Sequence, residues 1–327
     1  MIARIGQYIL VLLVILLLNF ALPRMMPGDP MQPMTGTNLD APSELDEETR
    51  IRLLEYHGLD KPLPQQFLAY LGNLARLDLG YAIYYKCEVS TLIAERLPWT
   101  ILLAGTSFVI SALVGVVLGT VAAYRQSTCL DRALVASVLG VRAMPAYLVG
   151  MLAILVFSAR LKLFPLGGAT APFAQYASLW GTATDIVWHL ALPALVLSMG
   201  QTARVFLLAR NATIPVLGEP YMTLAEAKGL SWGRKVFRYG MRNAILPVYT
   251  RLGMQLGFLV TGAILIENVF HYPGMGRLIY EAALVHDYPV LQGIFLVTTL
   301  SIVGANLLVD CTYPLVDPRV RRSHEPS

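Results

Sequence analysis

The chain has 327 residues, 56% of them apolar and only 14% charged, with a net charge of +4 at pH 7. Soluble domains carry about 25% charged residues, so this composition excludes an ordinary soluble enzyme and points to a chain that threads a membrane repeatedly. The charge surplus is too small for a nucleic-acid binder, and Cys87, Cys129 and Cys311 are too dispersed for a disulfide framework or metal cluster.

A membrane helix needs roughly 20 mostly apolar residues to cross the hydrocarbon layer. Six stretches meet that need: about Ile5–Leu22, Thr100–Tyr124, Ala133–Ala159, Ile186–Ala209, Ile245–Ile266 and Val290–Val309. No small-x-small cleavage pattern follows the first, so it reads as an anchor that is kept. Lysine and arginine in short loops mark the cytoplasmic side. Arg210, Lys228, Arg234, Lys235, Arg238 and Arg242 crowd the segment between spans four and five, and Arg319, Arg321 and Arg322 occupy the tail. Six crossings with both termini in the cytoplasm satisfy that bias.

The expected organisation is an all-α polytopic membrane protein. Residues 1–23 form the first span and residues 24–98 a small extracytoplasmic helical subdomain. Residues 99–313 form a five-helix core that includes a cytoplasmic loop, 210–243, and residues 314–327 form a cytoplasmic tail. The outer loop predicts two short amphipathic helices, the second with a stripe of Phe67, Leu71 and Leu74. It is too short to bury much core by itself.

The cytoplasmic segment 219–247, "EPYMTLAEAKGLSWGRKVFRYGMRNAILP", stands out between two apolar stretches. Its basic residues would each cost about 2.5–3.5 kcal/mol in hydrocarbon. Pro220 suits the first turn of a short helix, and Gly229 suits the left-handed position that ends one. Ser231 can cap a second helix. Ala225 and Gly229 are small and about one turn apart, which would let a partner's backbone approach, while Trp232, Phe237 and Tyr239 supply apolar anchors framed by arginines. The bland alternative is a basic amphipathic loop resting on anionic lipid; lipid has no use for the small-residue stripe.

Within the spans, ionisable groups are functional candidates. Arg142, beside Pro145 in "GVRAMPAY", fits contact with an anionic cargo group or a gate, and fits equally a snorkelling side chain. Arg204 and Arg251 lie near cytoplasmic ends and read as snorkelling. His189 reads as a helix-packing hydrogen bond. Gly274 and Gly276 in "HYPGMGRL" predict a tight turn into the short helix "RLIYEAALVHD", not a phosphate loop. None of the five lysines is followed by Ser or Thr, so the chain lacks the phosphate-loop signature.

"YMTLAEAKGL…RYGMRNAILP" resembles the EAA-type loop of bacterial ATP-binding-cassette importer permeases, closest to the dipeptide, oligopeptide and nickel branch. "LPRMMPGDP", "HGLDKPLPQQFLAYL", "RLPWTILLAGTSF", "HLALPALVLS", "IENVFHYPGMGRLIYEAALVHDYPVLQG" and "NLLVDCTYPLVDPRVR" resemble that branch in order and spacing over nearly the whole chain. Thr223 stands where the general pattern has Glu. Tyr239 and Met241-Arg242 replace its Ile and Leu-Pro, and the chain's own Leu246-Pro247 comes further downstream. The resemblance implies a type I importer permease in the bacterial inner membrane, with no chemistry of its own. It implies a second homologous permease, two ATP-binding subunits that hold ATP and Mg, an extracytoplasmic substrate-binding protein and surrounding lipid as partners. It assigns ATPase coupling to Tyr221, Thr223, Ala225, Glu226, Ala227, Lys228, Gly229, Arg234, Arg238 and Asn243. Cargo in the branch spans dipeptides, longer peptides, nickel chelates and glutathione-like molecules.

Two other classes fit less well. An ion-coupled secondary transporter or channel would show membrane carboxylates or inverted repeats, yet the six stretches hold no Asp or Glu until Glu267 and Asp310 at their margins. A membrane enzyme would cluster catalytic groups at one depth, and His189 is the sole embedded histidine.

Overall fold

The computed structural model describes residues 14–25, 60–174, 176, 178–256 and 264–316. These are mostly helical. In chain order they form α1 (Val14–Arg24), α2 (Leu63–Ala75), the strands β1 (Tyr81–Ala82) and β2 (Cys87–Glu88), and α3 (Val89–Tyr124). Next come α4 (Cys129–Ala143) and α5 (Ala146–Ala153), the latter running on in wider π-type turns to Arg160. They are followed by α6 (Leu179–Leu217) and α7 (Pro220–Ala227). A π-type turn (Arg234–Met241) leads into α8 (Arg242–Leu256). The last are α9 (Ile264–Val269), α10 (Met275–Leu284) and α11 (Tyr288–Val316).

Two helices outrun the expected spans. α3 has 36 residues and α6 has 39, about 54 and 58 Å at 1.5 Å per residue. Hydropathy marks only the part at hydrocarbon depth, about 30 Å; both helices continue beyond it. Both are apolar and long enough to cross a membrane. The third expected span, Ala133–Ala159, is not one rod. α4 and the helix after it meet at 94°, because Pro145 offers no amide hydrogen and forces Met144 into extended backbone (φ −88, ψ 130). Of the fifth expected span, α8 and α9 are described and residues 257–263 are not. Of the first, residues 5–13 lie outside the described part, as does the first amphipathic helix of the outer loop.

The chain divides into two compact units, one formed by residues 1–98 with 277–300 and the other by residues 99–276 with 301–327. In the first, the stripe on α2 is partly buried as its spacing predicts: the Phe20 ring lies 5.2 Å from Phe67 and 5.9 Å from Tyr70. Arg24 stacks 3.7 Å over Phe20 and donates to Gln66 Oε1. The all-α expectation misses a small antiparallel hairpin pairing Tyr81 with Glu88 and Ala82 with Cys87. Two-residue strands are too short to show alternation. Asp287 anchors this hairpin, accepting the Tyr84 amide at 2.8 Å. Burial pushes its carboxyl above the usual carboxylate range, against the lowering effect of these backbone donors.

In the second unit, α3 and α6 pack along Gly115 and Gly119. A Cβ at Gly119 would lie 2.5 Å from the Phe206 carbonyl oxygen and 2.9 Å from Ala209 Cβ, and one at Gly115 would lie 2.7 Å from Val205 Cβ. Small residues four apart permit this backbone approach. Val205 and Ala209 continue into a cluster with Val116 and Val248, joining α8 to the pair. Further along α6, Leu190 and Ala194 pack with Leu103 and Tyr272. The expected glycine turn is present before α10. Thr100 donates to buried Glu267 at 2.9 Å and receives the Met275 amide at 2.7 Å. The Glu267 carboxylate fills the space a side chain at Gly274 would need.

Gly119→Val should lower the stability of the detergent-solubilised protein by about 1–3 kcal/mol, because the helices must separate. Gly105→Val is the control, since a Cβ there meets nothing within 4 Å. Thermal unfolding that shifts equally for both variants would contradict the close-packing account.

Candidate functional site

The segment after α6 is built by turn chemistry. Gly218 and Glu219 form a two-residue joint; their amides bond back to the Pro215 and Val216 carbonyls. Pro220 then opens α7, where its missing amide hydrogen costs nothing. Gly229 closes it at φ +65. The Gly229 amide bonds Glu226 O at 2.9 Å and the Leu230 amide bonds Ala225 O at 3.3 Å. Ser231 directly precedes the next helical turn, and its carbonyl accepts the Lys235 amide at 3.0 Å. The expected helix, left-handed glycine and restart are therefore all present.

α7 has two unlike faces. Met222 and Ala225, three apart, point inward and are buried. Thr223, Leu224, Glu226, Ala227, Lys228 and Gly229 are exposed, Leu224 at 55%, and Tyr221 is half-buried. This corrects one expectation. Ala225, at 2% exposure, lets α7 lie close to its own chain and offers nothing to a partner. Gly229 remains available, with nothing within 4 Å of a Cβ built there.

The segment that follows α7 carries an aromatic stack. Tyr124, the last residue of α3, meets Trp232 edge-on at 5.8 Å, and Trp232 meets Phe237 at 6.2 Å. Lys235 joins the two sides of the segment, donating to Glu226 Oε1 at 3.1 Å. That bond, and after it the Tyr124 hydroxyl, hold the Lys235 ammonium above its ordinary pKa. Arg234 and Arg238 are exposed on the outer side of the π-type turn, and Asn243 falls in the first turn of α8. Tyr239 is exposed.

Sequence reasoning missed a second fastening. At the other side of the segment, Arg210 Nε and Nη2 donate to Asp131 Oδ1 and Oδ2 at 2.7 and 2.8 Å. The two residues are 79 apart in sequence, and no spacing rule pairs them. Tyr124 also lies outside the expected site, being the end of a span.

The intramembrane candidates are dispersed. Arg142 is exposed in the last turn of α4, two residues before the break, and Arg204 and Arg251 are exposed as well. His189 is buried and bonds within its own helix, Nδ1 to Asp185 O at 2.9 Å, instead of between helices. Asp185 also receives the Tyr176 hydroxyl and the Ala171 amide. A cavity of about 790 Å³ opens between α3, α4, α5 and α6, lined by apolar side chains such as Val114, Val141, Leu152, Phe157, Val196 and Met199. Arg142 does not line it. Among the described residues, no group of His, Cys, Asp and Glu is arranged to hold a metal.

The two long apolar helices can each cross a membrane, and the basic segment is displayed at the end of the second. The chain belongs to the family of binding-protein-dependent transport system inner membrane components, whose model matches residues 115–322. It is similar along nearly all its length to named permeases. It is 38% identical to a Brucella suis protein provisionally named a peptide permease, over 95% of each chain. It is 35% identical to the dipeptide transport system permease protein of Escherichia coli K12, over 97% of each. It is 33% identical to the oligopeptide transport system permease protein of Bacillus subtilis, over 95% of each. The importer-permease resemblance read from the sequence is borne out. Membership places the chain among multi-pass inner-membrane permeases, not enzymes, and sets aside the secondary-transporter alternative.

Removing the aromatic base should loosen the segment without unfolding the helices. Tyr124→Ala forfeits an edge-on contact worth about 0.5–1.5 kcal/mol. Limited trypsin digestion at Lys228 and Arg234 should accelerate roughly two- to tenfold, the same energy expressed as population. An unchanged cleavage rate would show that the stack does not hold the segment.

Proposed function

We propose that this chain forms half of the translocation pathway of an ATP-driven peptide importer and is driven through α7. In this reading it crosses the membrane six times with both termini in the cytoplasm. Residues 24–98 form an extracytoplasmic subdomain, 99–313 the permease core and 314–327 the tail. A second homologous permease completes the pathway, and an extracytoplasmic binding protein delivers cargo. Two ATP-binding subunits hold ATP and Mg and receive α7 in a surface groove. The names of the relatives favour peptide over nickel as cargo.

The observation that carries the proposal is the construction of α7. It is an eight-residue helix with an exposed outer face, stopped by proline and glycine at its two ends and tied to the segment after it by the Lys235–Glu226 bond. A helix of this kind passes displacement on, whereas a flexible loop would absorb it. Thr223, Leu224, Ala227 and Gly229 supply the contact face. Lys228, Arg234 and Arg238 surround it with positive charge that can meet acidic groups on an ATPase. Arg142, at the 94° bend, serves as a gate or a contact for an anionic cargo group.

The test is a series at Gly229. Its left-handed backbone costs an ordinary residue about 1–2 kcal/mol, but asparagine tolerates it. Gly229→Asn should therefore retain the ATPase subunits on purification. Gly229→Trp, whose Cβ would meet nothing within 4 Å in this chain and which bears the same backbone cost, should lose them or break the link between ATP hydrolysis and transport. Full, cargo-stimulated ATPase activity in Gly229→Trp would overturn the coupling role.

A further inference from the structure

α4 is a 15-residue helix with one buried residue, Asp131. Of its large apolar residues, Leu130 and Leu139 are exposed, and Leu134, Val135, Val138 and Val141 are only half-buried. A carboxylate as the one fully buried residue of such a helix is unusual, because burying that group is costly unless it is fully bonded. Here it is. Asp131 is 3% exposed. It accepts both Arg210 donors and the Ser127 amide at 3.0 Å, while Thr128 caps the helix start by accepting the Asp131 amide. Arg210 lies two turns before the end of α6, on the same unbroken helix that carries the Gly218–Glu219 joint and α7.

We infer that the Asp131–Arg210 pair is the positioning contact that makes α4 move with the coupling helix. Displacement of α7 passes through the two-residue joint into the end of α6. A bidentate arginine–carboxylate pair resists sliding as well as separation, since both hydrogen bonds lie in one plane. It therefore hands the movement to the foot of α4. α4 in turn ends at the Pro145 bend and, with α3, α5 and α6, walls the apolar cavity. Asp131 and Arg210 touch neither cargo nor nucleotide; they act through the helices they join. This inference rests on the coupling role of α7 proposed above.

The test uses the complete importer purified through this chain, in lipid nanodiscs, with the native cysteines replaced and spin labels at Ala136→Cys on α4 and Asn211→Cys on α6. In the otherwise wild-type protein, the distance between labels should be the same without nucleotide and when trapped with ATP and vanadate. In Asp131→Asn it should match wild type without nucleotide and shift only on trapping, by on the order of 5 Å, one helical turn. ATP hydrolysis without cargo should rise about tenfold, within the usual range of coupling between sites. The double variant Asp131→Asn/Arg210→Gln should behave no worse than either single variant. Three results would overturn the inference: a wild-type distance that changes with nucleotide, an Asp131→Asn distance that never changes, or broadening that is equal in both states, which marks a merely structural pair. Failure of the coupling role of α7 shows itself separately, as ATPase that stays bound and coupled in Gly229→Trp. The wild-type distance would still decide whether α4 and α6 move as one.

Discussion

The close approach of α3 and α6 at Gly115 and Gly119 governs the arrangement of the segment that follows α6. Between helices in a bilayer no hydrophobic driving force operates, so packing depends on how near the backbones can come. Here a carbonyl of α6 occupies the place of a missing side chain on α3. That seat brings the end of α3 within reach of the segment after α6. Tyr124 can then meet Trp232, and an aromatic base forms for the segment after α7. With bulkier residues at either glycine, Tyr124 would be carried away from that base.

The consequence is a short helix held from two directions. On one side the Tyr124–Trp232–Phe237 stack and the Lys235–Glu226 bond fasten the return strand of the loop. On the other, the Asp131–Arg210 pair braces the helix that leads in. Of these contacts, the Lys235–Glu226 bond alone draws on an exposed residue of α7. Met222 and Ala225 face inward, while Thr223, Leu224, Ala227 and Lys228 stay exposed.

Local grammar was legible in the sequence, and long-range fastening was not. Pro220 and Gly229 report backbone requirements of their own positions, so the start and end of α7 could be read directly. The same holds for the turn at Gly274 and the stripe on α2. Two of the expected spans lie within α3 and α6, but the ends of those helices could not be read from hydropathy, because helices 36 and 39 residues long run past their apolar stretches. Pro145 was visible as a disturbance, yet its 94° effect depends on how the next helix, α5, packs. Ala225 shows the limit most clearly. A small residue signals close approach without saying to what, and the approach proved to be to the chain itself. Asp131 and Arg210 meet only because two distant helices pack together.

The central claim is that the outward face of α7 meets an energy-supplying subunit from inside the cell. Its most direct measurement is the sidedness of a single cysteine at Thr223, on the exposed face, using a membrane-impermeant maleimide. The account predicts modification in inverted membrane vesicles stripped of their ATPase, protection when the ATPase is restored, and no modification in intact spheroplasts. Modification from the outer face, or labelling from the inner face that the ATPase does not affect, would contradict it.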